Sequence, residues 1–128
     1  MDPLLRAALA PVLRDIERTG APMPTVTAGR NDEPELPYRY ADLSRPEGGD
    51  SGAGVDTSQP ERTRVVSAAE DVQDWMVHYL WQERMSTNWP VCPRHSSTHP
   101  LTPVERDDAA VWICPDDQVV IAPIGSLG

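Results

Sequence analysis

The chain has no lysine and no phenylalanine, only two cysteines, and no long hydrophobic run in its 128 residues. Each absence narrows the possibilities. No stretch approaches the roughly 20 apolar residues that a membrane helix requires, and the short apolar run at the N-terminus is broken by Asp2, Arg6 and Arg14 with no signal-peptide pattern behind it. A membrane role is therefore not expected, and a cytoplasmic location is. There, two cysteines stay reduced or bind metal rather than form a bridge. All eleven basic residues are arginine and stand against twenty acidic ones, giving a formal net charge of −9. That field repels phosphate backbones and disfavours nucleic acid as a partner. The arginine, alanine and proline bias is that of a GC-rich genome.

What is present reads as an α+β protein with a modest core. Asp2 caps a first helix and Pro3 occupies its first turn. Leu5, Ala8, Leu9, Val12, Leu13 and Ile16 share one face, and Gly20 ends the element. Pro11 predicts a kink, or two short helices meeting at Ala10. Thr25-Val26-Thr27, Leu36 to Leu43 and Ala53 to Thr57 predict a small antiparallel sheet, with Glu47 to Gly52 as a turn. Residues 30 to 60 also fit an acidic, Pro/Gly-rich linker, with a flexible segment near 44–60. Ser67 and Glu70 match a capping box opening a long amphipathic helix, with Val72, Trp75, Met76, Tyr79 and Leu80 on one stripe and an end by Ser86 or Thr87. These elements suggest an α+β domain over residues 1–87 and a second module over 88–128.

The second module carries the chemistry. Cys92-Pro93-Arg94-His95 and Cys114-Pro115-Asp116-Asp117 are two tight turns flanking a β-hairpin, with the cysteines 22 positions apart. A zinc ribbon needs such turns, because the proline stiffens each one so that the sulfur and the side chain three residues on point the same way. The first turn is complete with Cys92 and His95, whereas the second lacks a Cys or His at position 117. His99, four residues after His95, and Asp117 are the two candidates for the fourth ligand. His99 is preferred, since imidazole suits a structural zinc site better than a hard oxygen. The alternatives are buried cysteines without metal, or a Cys92–Cys114 disulfide.

Other constellations carry less. Asp74 and His78 form a surface helix pair, and Ser96, Ser97 and Thr98 a hydroxyl-rich turn without a nucleophile elbow. The glycine-rich segment 48–54 lacks the ending of a phosphate loop. Trp75, Tyr79, Trp81, Trp89 and Trp112 read as an aromatic core, with Trp81 or Trp89 left for a protein contact.

The pattern Trp89-Pro90-Val91-Cys92-Pro93-Arg94-His95, His99-Pro100-Leu101, Val111-Trp112-Ile113-Cys114-Pro115 and Ala122-Pro123-Ile124-Gly125 resembles a group of small proteins of actinobacteria and their phages. The resemblance covers about residues 60 to 128. It implies a zinc-ribbon-like C-terminal module and brings no reaction with it. The function expected is non-enzymatic: a zinc-stabilised adaptor or assembly protein binding other proteins, as a homo-oligomer or within a larger assembly, a virion or head–tail component included. A small regulator touching nucleic acid through the ribbon is the alternative. A zinc hydrolase using Glu105 or Asp107 as base is a further one.

Overall fold

The structure, a computed structural model, describes residues 1–30, 33–47 and 50–128. It has the expected α+β class, in the order α1 (Pro3–Thr19), β1 (Thr25–Ala28), β2 (Tyr38–Ser44), β3 (Asp50–Asp56), α2 (Glu61–Gln82), β4 (Thr102–Arg106), β5 (Ala109–Ile113) and β6 (Val120–Pro123). The strands form two antiparallel meanders, β1-β2-β3 and β4-β5-β6. Helix α2 packs on α1, on β3 and on the β4–β5 hairpin, so it is the element both sheets share.

Asp2 caps α1 through its carboxylate, which accepts from the amides of Leu4 and Leu5, and Gly20 closes the helix in the left-handed conformation. The helix runs through Pro11 without a break, so two short helices meeting at Ala10 are not formed. Leu9 and Val12, on either side of the proline, are fully buried, and that packing offsets the lost hydrogen bond.

One further expectation is corrected: α2 starts at Glu61 behind Pro60, not at Ser67. The Ser67 hydroxyl donates to the carbonyl of Gly54 at 2.7 Å instead of capping a helix end. The helix ends at Gln82, within the expected limit of Ser86 or Thr87. The strand expected over Ala53 to Thr57 is present as β3, so Ala53 to Asp56 are strand rather than linker, and the Gly48-Gly49 part of the expected turn lies outside the described residues. The glycine at position 54 is a packing requirement. A Cβ on Gly54 would lie 2.8 Å from Tyr40 Cε1, because the tyrosine ring lies across the strand there.

The core is continuous from α1 to the C-terminus. Leu5, Leu9, Val12 and Ile16 meet Ala41, Leu43, Ala53 and Val55 of the first sheet, Val72 and Met76 of α2, and Leu101 and Trp112 of the second half. No helix among the described residues is long and apolar enough to cross a membrane.

Candidate metal centre

The second half is built from two loops hung on one hairpin. Asp107 and Asp108, both at positive φ, make the two-residue turn between β4 and β5, a conformation that aspartate tolerates better than most residues. Strand β4 begins at Thr102 and β6 at Val120. The start of β4 leaves His99 in the loop, free to turn inward. The first loop is closed at its base by the Val91–Pro100 bridge and by the Leu101 amide donating to the Pro90 carbonyl at 2.8 Å. At its tip the His95 amide donates to the Cys92 carbonyl, as a tight turn requires. The second loop closes with paired bonds between Cys114 and Gln118–Val119.

This folding brings Cys92, His95, His99 and Cys114 together. One ligand atom from each lies within 4.8 Å of every other, and the four could hold a metal ion. His95 Nδ1 stands 3.3 Å from His99 Nε2, 3.4 Å from Cys114 Sγ and 3.9 Å from Cys92 Sγ, and His99 Nε2 is 3.7 Å from Cys114 Sγ. Zinc bonds of about 2.3 Å to sulfur and about 2.05 Å to nitrogen define a tetrahedron with edges of about 3.4 Å between nitrogens and about 3.6 Å between sulfur and nitrogen. The three separations among His95, His99 and Cys114 lie within about 0.2 Å of those edges, and the Cys92–His95 separation of 3.9 Å is longer. Both sulfurs are fully buried and both imidazoles half-buried.

The surroundings prepare the donors. His99 Nδ1 lies 3.1 Å from the Pro100 carbonyl, which can only accept, so Nδ1 donates there and Nε2 is the nitrogen turned toward the centre. Asp116 Oδ2 approaches the same Nε2 at 3.4 Å from the solvent side. Burial pushes the Cys114 thiol up, while the backbone N–H groups of Asp117 and Asp116 point at its sulfur and favour the thiolate. A bound cation would reverse the balance and hold the sulfur deprotonated.

Asp117, the alternative fourth ligand, is engaged elsewhere. Its carboxylate takes the Arg94 guanidinium at 2.8 Å and the Val119 amide at 3.3 Å. The hydrogen bond from Cys114 and these two partners hold its carboxyl below the ordinary range. Asp117 therefore ties one loop to the other by an ion pair with Arg94. Glu105, a candidate base, is held by Arg62 at 3.1 Å and Thr63 at 3.0 Å, and Asp107 sits in the hairpin turn. Neither joins the four-residue cluster.

Trp89, expected as a contact residue, is buried instead, while Trp81 is 66% exposed. The Trp89 ring packs edge-on against Trp112 at 5.9 Å and donates its N–H to Thr19 Oγ1. Two polar residues that sequence reasoning passed over support the loops. Asp15, fully buried on α1, accepts from Trp112 Nε1 at 2.7 Å and from the amides of Gly125 and Leu127. The signal was a charged residue on the apolar stripe, three positions after Val12. Gln73 of α2 donates from its one amide nitrogen to the carbonyls of Trp89 at 3.1 Å and Leu101 at 2.7 Å, the two ends of the first loop. Gly125 is needed where it is: at φ +102° a Cβ would meet Arg14 at 2.6 Å and Pro11 at 3.0 Å.

Comparison with family models, with curated proteins and with solved structures finds no match.

Proposed function

We propose that Cys92, His95, His99 and Cys114 hold one structural zinc ion, and that the protein is a zinc-stabilised, non-enzymatic adaptor that binds other proteins. The observation behind it is the donor set. Two sulfurs and two imidazole nitrogens converge within 4.8 Å of one another without recruiting a carboxylate, and a cation taking all four would keep no coordination position for a substrate. Two thiolates and two neutral imidazoles around a divalent cation also make a centre of zero net charge, suited to the burial of the two sulfurs. What the ion would supply is cross-linking of two loops where little apolar surface does so.

The contact surface would lie at the end of α2. Trp81 and Met85, 66% and 54% exposed, stand four positions apart on either side of that helix end, and large exposed apolar side chains of this kind anchor protein interfaces. Cobalt substitution tests the metal half of the reading. Tetrahedral S2N2 ligation gives intense visible bands and a thiolate charge-transfer band, lost in His99→Ala and kept in Asp117→Asn. A weak octahedral spectrum would overturn it. Sedimentation and host pull-down of wild type and Trp81→Ser test the contact half; a partner or self-association insensitive to that change would overturn it.

A further inference from the structure

The outer face of the first sheet presents aromatic rings to solvent. Alternation along β2 sends Tyr38, Tyr40 and Asp42 to that face, while Ala41 and Leu43 point the other way and are fully buried. The neighbouring chain offers the tyrosines little side chain. Tyr40 stands opposite Gly54 of β3 and Asp42 opposite Gly52, and the Gly29 amide, just past β1, donates to the Tyr40 carbonyl. The Tyr40 ring leans over Gly54 and is still 50% exposed, and Tyr38 is 46% exposed.

An open cleft of about 450 Å³ lies between these rings and the first turns of α2, with Gly52, Gly54, Asp56 and Asp71 in its lining. Its charge has one sign. No arginine or histidine lines it, and among the described ion pairs none reaches Asp42, Asp56 or Asp71. Arg39, next to Tyr38 in the chain, is drawn away: its guanidinium donates to the carbonyls of Pro34 and Leu36 and faces Asp2 at the start of α1. The carboxylates are held in place by one oxygen each. Asp56 Oδ1 accepts from the amide and hydroxyl of Ser58, and Asp71 Oδ2 from the Gly54 amide.

Exposed aromatic faces beside carboxylates attract a cation, and a guanidinium suits both partners. It stacks on a ring and turns its N–H fork to a carboxylate. Two other occupants fit less well. Nucleic acid also stacks on exposed aromatics, but it needs positive charge beside them, and here the charge is negative. A second copy of this chain brings the same formal charge of −9 and is repelled.

We propose that the outer face of the first sheet docks a basic segment of a partner protein, anchored by an arginine that stacks on the Tyr38 and Tyr40 rings and pairs with Asp56. This surface is separate from the metal centre and from Trp81.

The test titrates the full chain with an acetylated, amidated Gly-Arg-Gly-Arg-Gly peptide, followed by the NMR amide signals of Gly52 and Gly54. Salt of about 0.15 M screens the general attraction of an acidic protein for any cation. The peptide is expected to saturate with a Kd below about 1 mM, and its citrulline counterpart, of the same shape without the charge, to bind about tenfold more weakly. Tyr38→Leu and Asp56→Asn should each weaken binding about threefold or more. Tyr40→Phe keeps the ring over Gly54 and should bind like the wild type. So should Asp108→Asn, which removes one negative charge in the β4–β5 turn. The proposal is overturned if the peptide does not saturate below about 10 mM, or if the arginine and citrulline peptides bind alike. It is also overturned if Tyr38→Leu or Asp56→Asn binds like the wild type, or if Asp108→Asn weakens binding as much as Asp56→Asn. A neutral oligosaccharide or an oligonucleotide that shifts the same signals while the peptide does not would overturn it in favour of that class.

Discussion

The two three-stranded sheets have the same topology and are held in different ways. The first lays an apolar face, Ala41, Leu43, Ala53 and Val55, on the helices, and its outer face shows Tyr38 and Tyr40 to solvent. Its β3 edge is closed at Gly54 by Asp71 and Ser67 of α2, which bind the strand's outward amide and carbonyl. The second sheet buries Trp112 and its neighbours, but the two long loops that follow its logic hold few apolar side chains. Their order comes from polar fixtures: four metal-type ligands, the Asp15 carboxylate, the Gln73 amide and the Arg94–Asp117 pair. One half is stabilised mainly by surface removed from water; the other depends on groups whose removal leaves buried polar atoms behind.

That contrast orders the expected effects. Cys92→Ser should be the most damaging, because structural zinc contributes on the order of 10 kcal/mol in small domains. Hydrogen exchange should show residues 88–101 and 114–119 losing protection by several orders of magnitude, with β2 and β3 changing far less. Equal loss in both sheets would dissolve the distinction. Asp15→Ala should follow, at about 3–5 kcal/mol by chemical denaturation, since it strands the Trp112 indole and two backbone amides in a buried place. Gln73→Leu removes two donors and keeps the helix. It should cost about 1–2 kcal/mol and lower metal affinity about 10- to 100-fold, read by competition with a chelating dye.

The smallest effect has the opposite sign. Asp74→Asn should stabilise the protein at neutral pH by no more than about 0.5 kcal/mol. Burial raises the folded-state carboxyls of Glu70 and Asp71, and the charge of Asp74 adds to both shifts. For a raised carboxyl, the stabilising contribution is present below the unfolded pKa and is lost as pH rises through the folded one. The gain from Asp74→Asn should therefore appear at neutral pH and vanish below about pH 4. Asp117, with its carboxyl lowered, behaves inversely: its pairing with Arg94 stabilises above its unfolded pKa and is lost as pH falls through the folded one. Thermal melts of Asp74→Asn and Asp117→Asn from pH 3 to 7 would show the two trends or refute them.

Local signals made part of this legible. Asp2-Pro3 and Gly20 bound α1, and the Cys-Pro turns mark both loops that carry the Cys/His cluster. What stayed hidden is what distance along the chain conceals. Ser67 and Glu70 resemble a helix start, yet the serine serves a strand thirteen residues earlier. Residues 30 to 60 also fit a linker because β3 is rich in small residues, of which Gly54 makes room for Tyr40. His99 and Asp117 were both open as the fourth ligand, since spacing does not reveal that Arg94 takes the aspartate. Asp15 meets Trp112 across 97 positions, a partnership no local pattern announces.

Metal content is the most direct test. Protein purified without added metal or a polyhistidine tag should carry about one zinc per chain by elemental analysis, and Cys114→Ser should carry none. A well-folded wild type without metal that also takes up none on addition of zinc would contradict the account.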